Sequence, residues 1–377
     1  MDLKKDKTSR SVANKSACFI LPTYNEEKNI RRTIEGILSN QELVPGYQFE
    51  ILVVDDNSTD GTQKEVQDLI KNYTNLHIIT GEKKGLGDAY KRGFKHALNL
   101  FKPNLVFQMD SDGQHDPMLI PGFIEQIDAG HSLVIGSRFV EGGSTPDFSF
   151  RRKLISKLGN FLVRYVGGVR HINDCTSGFR CISSSYLEKC NLGFLSTRGY
   201  SFQSSLICEL VMQGVSSKEI PITFSSRQSG SSKLSLRDQV EFVLNIPKLA
   251  FHSHKDFIRY SVVGSSGVLI NLGCYVFLTR YIGMAEEIAP LISIEVSLIS
   301  NFLFNNFWTF KRRNPSPFLS RLMQFHLVAG FTGIINYTVF FIMFKALMVN
   351  DILANLIGIA VAAILNYLIN SNWTWKK

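Results

Sequence analysis

The residues best suited to chemistry are Asp110-Ser111-Asp112-Gly113-Gln114-His115. They follow an apolar run, Leu105 to Met109, that reads as a buried strand. Strand alternation turns both Asp side chains the same way, with an amide oxygen close by. Such a cluster repels itself unless a cation sits in it. Hard oxygen donors with room left for water and phosphate suit Mg²⁺ or Mn²⁺. The motif therefore points to a metal that holds a diphosphate. The same residues also fit a plain solvated turn, because Asp closes turns and Pro117 suits a helix start. The neighbouring elements have to decide.

Those elements alternate. Strands are expected at Ala17 to Pro22, Glu50 to Val54, Leu76 to Thr80 and Leu105 to Met109, with helices at Glu26 to Leu38, Thr62 to Lys71 and Leu86 to Leu100. This order implies an α/β layered fold with a mostly parallel sheet. Ligands in such folds bind at the carboxyl ends of strands. Polar residues gather at those ends: Thr23-Tyr24-Asn25-Glu26, Asp55-Asp56-Asn57-Ser58 and the opening motif. Three acid- and amide-bearing strand ends favour one crevice over an isolated turn. Arg138, after the apolar run Ser132 to Ile135, stands at a further strand end.

From Tyr260 the composition changes. Four long apolar runs give spans at about 260–282, 288–310, 322–344 and 352–375. Lys248, Lys255, Arg259, Lys311, Arg312, Arg313, Arg321, Lys376 and Lys377 lie at one set of ends, and only Arg280 and Lys345 at the other. The positive-inside rule makes the first set, the amino-terminal domain and the carboxyl end cytoplasmic. This placement, rather than nucleic acid, accounts for the formal charge of +9. The membrane half repeats itself: Asn301, Asn305, Trp308 and Thr309 recur as Asn366, Asn370, Trp373 and Thr374, and Gly264-x-x-Gly267 is echoed by Gly330-x-x-Gly333. Two like-oriented hairpins follow, related by an axis along the membrane normal. Trp308, Trp373 and Trp375 sit where aromatic belts sit. Glu295 is the only acid inside a span. Leu234 to Lys255 mixes apolar and basic residues and reads as interfacial amphipathic helix, or as a solvated helix packed on the first domain. Residues 1–16 have no apolar core, so a disordered tail and no signal peptide are expected. The six cysteines form no C-x-x-C pair and read as reduced, buried thiols.

In order along the chain stand Leu21-Pro22-Thr23-Tyr24-Asn25-Glu26, Val53-Val54-Asp55-Asp56-Asn57-Ser58, Lys84-Gly85-Leu86-Gly87, the D-x-D-x-Q-H turn, Gly136-Ser137-Arg138, Asp174-Cys175-Thr176-Ser177-Gly178-Phe179, and Arg227 to Leu234. Together they resemble the dolichol-phosphate mannose synthases, inverting family 2 glycosyltransferases with a GT-A fold. The likeness covers about Ala17 to Leu234. The four-span part resembles the GtrA-like membrane domains fused to such enzymes. The implied organisation is a tail (1–16), a GT-A domain (17–234), interfacial helices (235–256) and an all-α transmembrane domain of two hairpins (257–377).

The resemblance also implies roles. Pro22, Tyr24 and Glu26 would line the base and ribose pocket, with Val54 and Asp56 facing the base. Asp110, Asp112 and Gln114 would hold Mg²⁺ or Mn²⁺, and Ser111 would lie against the donor. Arg138 and Arg152 would grip the lipid phosphate beside Ser156. Arg227 and Lys233 would close over the diphosphate. Gly113 stands where the family often has Leu, which loosens the turn but removes no ligand. The implied reaction moves mannose from GDP-mannose to dolichyl or polyprenyl phosphate with inversion. A phosphate monoester is already ionised near neutral pH and needs no base. Gly193 to Ser205, where enzymes with hydroxyl acceptors carry an acid, contains none, and the Gln-x-x-Arg-Trp of processive synthases is absent. A different donor such as UDP-glucose, and a lipid-linked-sugar flippase role, are the alternatives.

Overall fold

The structure, a computed structural model, describes residues 15–191, 195, 199, 201–225, 236–311, 313 and 316–376, with no side-chain account of 236–238. The chain divides between Ser253 and His254 into two compact units.

The first unit is built on strands β1 (Lys15–Thr23), β2 (Tyr47–Asp55), β3 (Leu76–Thr80), β4 (Leu105–Gln108), β5 (Leu133–Ser137), β6 (Arg180–Ser183) and β7 (Ser217–Pro221). Its helices are α1 (Ile30–Ser39), α2 (Thr62–Ile70), α3 (Leu86–His96), α4 (Ile120–Asp128), α5 (Phe150–Val166), α6 (Ser184–Leu187), α7 (Ser201–Met212) and α8 (Leu236–Ser253). The sheet order is β3-β2-β1-β4-β6-β5-β7. All pairings are parallel except those of β6, which runs against both β4 and β5. This is the GT-A arrangement that the resemblance implies.

The central strands are buried on both faces, so they read as apolar runs rather than as alternation. Within β1 the side chains still divide by parity. Cys18 and Ile20 pack with Leu52, Val54 and Val106 beneath α3 and α7. Phe19 and Leu21 pack with Ile51, Val53 and Phe107 beneath α1, α2 and α4. Phe19 stacks on Phe107 with centroids 4.4 Å apart.

Element boundaries shift from the sequence expectation, β2 for one beginning at Tyr47 rather than Glu50. Helix α1 begins at Ile30, not Glu26, because Asn25 takes a left-handed φ of 53° and its side chain bonds to Thr59. Helix α3 ends at His96 and continues as one π-helical turn, Ala97–Phe101, before Lys102 reverses the chain at φ 46°.

The second unit holds α9 (Lys255–Arg280), α10 (Ala289–Phe304), α11 (Phe318–Phe341) and α12 (Asp351–Ile369). Among the described residues, three helices are long and apolar enough to cross a membrane: Lys255–Arg280, Phe318–Ala346 and Asp351–Thr374. Helix α10, in the expected span 288–310, does not meet that measure. It has 16 residues, and Glu295 and Asn301 lie within it. The repeat is visible in the backbone, since α10 and α12 both end in a π-helical turn, at Asn305–Thr309 and Asn370–Thr374.

A buried polar network ties α9 to the end of α12. Asn370 Nδ2 donates to the Tyr260 hydroxyl (3.0 Å) and to Asn366 Oδ1 (2.9 Å), and Asn366 Nδ2 donates to Thr332 Oγ1 of α11 (2.7 Å). The aromatic expectation is corrected for Trp375. It is fully buried, stacks on Phe310 at 4.8 Å, and donates from Nε1 to Asn306 Oδ1, whereas Trp308 and Trp373 are exposed. Glu295 is paired: its Oε1 lies 3.1 Å from His326 Nε2, and His326 Nδ1 faces the Leu322 carbonyl at 2.8 Å. The Glu295–His326 contact links α10 to α11.

Candidate active site

The strand ends meet as the alternating pattern requires. β1, β2, β4 and β5 point their carboxyl ends the same way. Because β6 runs backwards, its start arrives at that edge, with Arg180 opposite Gln108 and Ile135. The segment Asp174 to Phe179, just before β6, is thereby brought beside Arg138 and the D-x-D-x-Q turn.

Asp110, half-buried, and Asp112, buried, stand on that turn. Asp112 Oδ1 accepts from the Gln114 backbone N–H (3.1 Å). Gly113 has φ +78°, a left-handed conformation that glycine adopts without strain. The Ser111 hydroxyl donates to the Pro22 carbonyl (2.8 Å), which fastens the turn to the end of β1. Gln114 Nε2 donates to the Ser225 carbonyl (2.5 Å), so the amide is oriented with its oxygen at the other end. Two carboxylates and one amide oxygen on a single turn fit a hard divalent cation that takes its other ligands from water and phosphate. Among the described residues no group of three or more His, Cys, Asp or Glu forms a closed cage. Gly178 backs the turn, since a Cβ there would lie 3.3 Å from both Asp110 oxygens.

Arg138 is held rather than free to swing. Its Nε donates to Asp174 Oδ2 and its Nη2 to Asp174 Oδ1, both at 2.7 Å, and Nη2 also reaches Thr176 Oγ1 at 2.6 Å. Burial acts to raise the Asp174 pKa, but Arg138 beside it and the backbone N–H groups of Arg138 and Thr176 outweigh that effect and hold it below its usual value. Burial likewise works against Arg138, and Asp174 holds its pKa up. From Thr176 the network continues to α5. Asn160 Nδ2 donates to Thr176 Oγ1 (3.3 Å) and to the Ser156 carbonyl (2.9 Å), and its Oδ1 accepts from Cys175 N–H (2.7 Å). Arg152, Ser156 and Asn160 recur at four-residue spacing on one face of α5. Arg152 is exposed, with its guanidinium 3.8 Å above the Phe148 ring. Arg138 is thus linked through Thr176 and Asn160 to the backbone carbonyl of Ser156, and Arg152 lies one turn earlier on α5.

At the ends of β1 and β2, Lys83 Nζ lies 3.3 Å over the Tyr24 ring. Glu26 is buried and accepts from Asn29 Nδ2 (2.8 Å). Asp56 pairs with Arg92 Nη2 at 2.5 Å, and Arg92 also binds Asp88. Burial raises the Asp56 pKa, with Arg92 opposing it. Val54 is fully buried, and a Cβ on Gly93 of α3 would meet its Cγ2 at 3.1 Å, so it packs the sheet against that helix. Asp55 caps its own turn, accepting from Ser58 N–H (2.9 Å) and Gln63 Nε2 (2.6 Å). Arg227 and Lys233 lie outside the described residues.

Residues 18–190 match the family model for glycosyl transferase family 2, and residues 259–375 match that for the GtrA/DPMS transmembrane domain. The dolichol-phosphate mannosyltransferase of Pyrococcus furiosus is 35% identical over 362 residues, covering 94% of this chain and 98% of that protein. The chain belongs to this glycosyltransferase family. The polyprenol monophosphomannose synthase of Mycolicibacterium smegmatis is 38% identical over 242 residues, covering 64% of this chain and 89% of that protein. The undecaprenyl-phosphate mannosyltransferase of Micrococcus luteus is 34% identical over 241 residues, covering 64% and 96%.

Sequence reading of this glycosyltransferase missed the surface that α5 makes with α8. Phe150, Leu154, Leu158, Phe161 and Tyr165 are all exposed along α5. Gly159 of α5 meets the Phe242 ring of α8, whose Val240, Val243, Leu244 and Phe251 are exposed as well. The other side of α8 docks on α7 through Asn245 to Ser205 (2.9 Å) and His252 to Glu209 (2.8 Å). Helix α8 thus packs on the first domain with one side and carries exposed apolar residues on the other. The four-residue apolar spacing along α5 was the available signal, masked by Arg151, Arg152 and Lys153 at its start. Asp174 stands in a sequence motif that assigns it no role, and nothing in the sequence pairs it with Arg138.

Proposed function

We propose that this glycosyltransferase moves mannose from GDP-mannose to a dolichyl or other polyprenyl phosphate, with inversion from α to β, at the cytoplasmic face of a membrane. The observation that carries the reading is the match, along nearly the whole chain, to a protein named dolichol-phosphate mannosyltransferase. The site geometry supports it. A lipid phosphate oxygen attacks the anomeric carbon, and the bond to the departing diphosphate breaks with its electron pair leaving on GDP. The attacking oxygen already carries charge near neutral pH, so no side chain needs to remove a proton.

Arg138, fixed by Asp174 and Thr176, presents a preoriented guanidinium for the acceptor phosphate. Its Nε–Nη2 edge is committed to Asp174 and Thr176, so Nη1 would be the nitrogen offered to the phosphate as a charged donor. Ser156 and Arg152 flank it on α5. The exposed apolar faces of α5 and α8 offer a surface for the lipid chain and the bilayer boundary. Asp110, Asp112 and Gln114 would hold Mg²⁺ or Mn²⁺, which when bound neutralises charge building on the leaving diphosphate. Arg227 and Lys233 would add positive charge there. Tyr24, Glu26, Pro22 and Asp56 surround the expected base and ribose, and Ser111 lies at the donor.

Purified protein in detergent, given Mg²⁺ or Mn²⁺ and dolichyl phosphate, should pass label from radiolabelled GDP-mannose into the lipid phase. Label passing only from UDP-glucose or UDP-GlcNAc refutes the mannose assignment. Label from none of the three refutes the reaction.

A further inference from the structure

His115 takes no part in the scheme above, yet it is the most tightly held polar side chain of the turn. It is 2% exposed, stacked on Phe179 at 5.0 Å and flanked by Phe224 at 5.7 Å. The Asp110 backbone N–H donates to His115 Nδ1 at 3.0 Å. A ring nitrogen that accepts carries no hydrogen, so a neutral imidazole here must hold its proton on Nε2. That Nε2 is buried without a hydrogen-bond partner among the described residues, 3.9 Å from Asp110 Oδ2. The distance is too long for a hydrogen bond, and a buried donor left unpaired is destabilising. The opposite oxygen, Asp110 Oδ1, is 3.5 Å from the hydroxyl of buried Tyr90. A side chain on Gly178 would crowd both oxygens and His115 Cε1, and glycine leaves that space to the carboxylate.

We propose that His115 is a positioning residue for metal binding, with a different task for each nitrogen. Nδ1 shapes the turn by anchoring the Asp110 backbone. Nε2–H is a donor held ready for the Asp110 carboxylate, which takes up that hydrogen bond when it turns to ligate the divalent cation. Outer-shell donors of this kind fix ligand orientation and are commonly worth 10- to 100-fold in metal affinity. The inference rests on the D-x-D-x-Q turn holding a divalent cation, as proposed above.

Two substitutions separate the nitrogens. In His115→Asn the amide oxygen replaces Nδ1 and the Nε2 donor is lost. In His115→Gln the amide nitrogen reaches the Nε2 position. Mn²⁺ binding to the full chain in detergent, with saturating GDP, is read from the electron paramagnetic resonance signal of free Mn²⁺, alongside a thermal melt. H115N should keep its melting midpoint and bind Mn²⁺ roughly 10- to 100-fold more weakly. H115Q should bind markedly more tightly than H115N. H115N binding Mn²⁺ as the wild type does, or H115Q no better than a folded H115N, overturns the inference. If H115N fails to fold, H115Q alone decides, and a loss beyond about tenfold overturns it. A wild-type chain that binds no Mn²⁺ under these conditions refutes the metal turn itself, a distinct failure.

Discussion

Replacing Asp174 by Asn tests whether a buried ion pair organises the acceptor side of the site. Asp174 is fully buried and accepts from Arg138 Nε, Nη2 and N–H, from Thr176 N–H and from Ser177 N–H. The asparagine amide turns an NH₂ group toward some of these donors and leaves the Arg138 charge buried without its counterion. Removing one partner of a buried pair costs about 3–5 kcal/mol. At about 2–4 °C per kcal/mol for a unit of this size, the midpoint should fall by roughly 6–20 °C. The sheet lies wholly in the first unit, so melting of the β-sheet amide I band in the infrared reports that unit separately from the helical second one. Arg138→Gln should cost a similar amount. The double variant R138Q/D174N should lose at least about 1 kcal/mol less than the sum of the singles, because the two side chains share one interaction. The folded pKa of Asp174 is depressed, so the pair's contribution is complete above the unfolded carboxyl value of about 3.9 and fades only as pH falls below it. Stability from this source should be flat from about pH 5 upward. A D174N midpoint within about 2 °C of wild type, or additive singles, refutes the reasoning.

Further outcomes follow from the same geometry. Asp112→Ala should lower transfer from GDP-mannose at least about 100-fold while leaving the melt nearly unchanged, since it removes a charged ligand and not a packed apolar group. Wild-type turnover in metal-limited buffer would remove Asp112 from the metal turn. Gly358→Ala places a Cβ 2.5 Å from Asn336 Oδ1 and 2.8 Å from the Asn336 carbonyl, across the α11–α12 hairpin. It should destabilise the second unit by about 1–3 kcal/mol, and an unchanged thermal midpoint for that unit counts against the close approach. Five of the six cysteines are buried. Burial raises the pKa of Cys190 and Cys208 to about 12, and those of Cys18, Cys175 and Cys181 are raised by the same cause. Native protein treated with iodoacetamide near pH 8 should therefore take up label at Cys274 at most, against six sites after denaturation. Rapid labelling of Cys175 or Cys208 in the native state contradicts the packing.

The sequence by itself determined what local pattern can determine. Apolar runs and periodicity marked β1 to β4, α1 to α3 and the long apolar helices, because burial of a strand or a helix face is written in consecutive residues. The D-x-D-x-Q turn and the strand-end residues Thr23 to Glu26 were legible for the same reason, since strand ends in such sheets face one edge. The 65-residue repeat was legible because the same residue types recur in register, and both copies end in a π-helical turn.

What only the tertiary structure decided depends on which segments meet. The reversed direction of β6 carries Asp174 to Arg138 across 36 residues, a pairing no local pattern encodes. Asp55 and Asp56 look alike in sequence, yet one caps a turn and the other pairs with Arg92 from α3. Val54 stood at a strand end but faces the helix layer, because parity assigns alternate side chains to opposite faces of the sheet and a neighbouring Gly93 lets α3 close over it. Trp375 looked like a membrane-belt residue and is instead the buried partner of Asn306. In each case the residue type limited the possibilities, and the choice among them was made by a group distant in sequence.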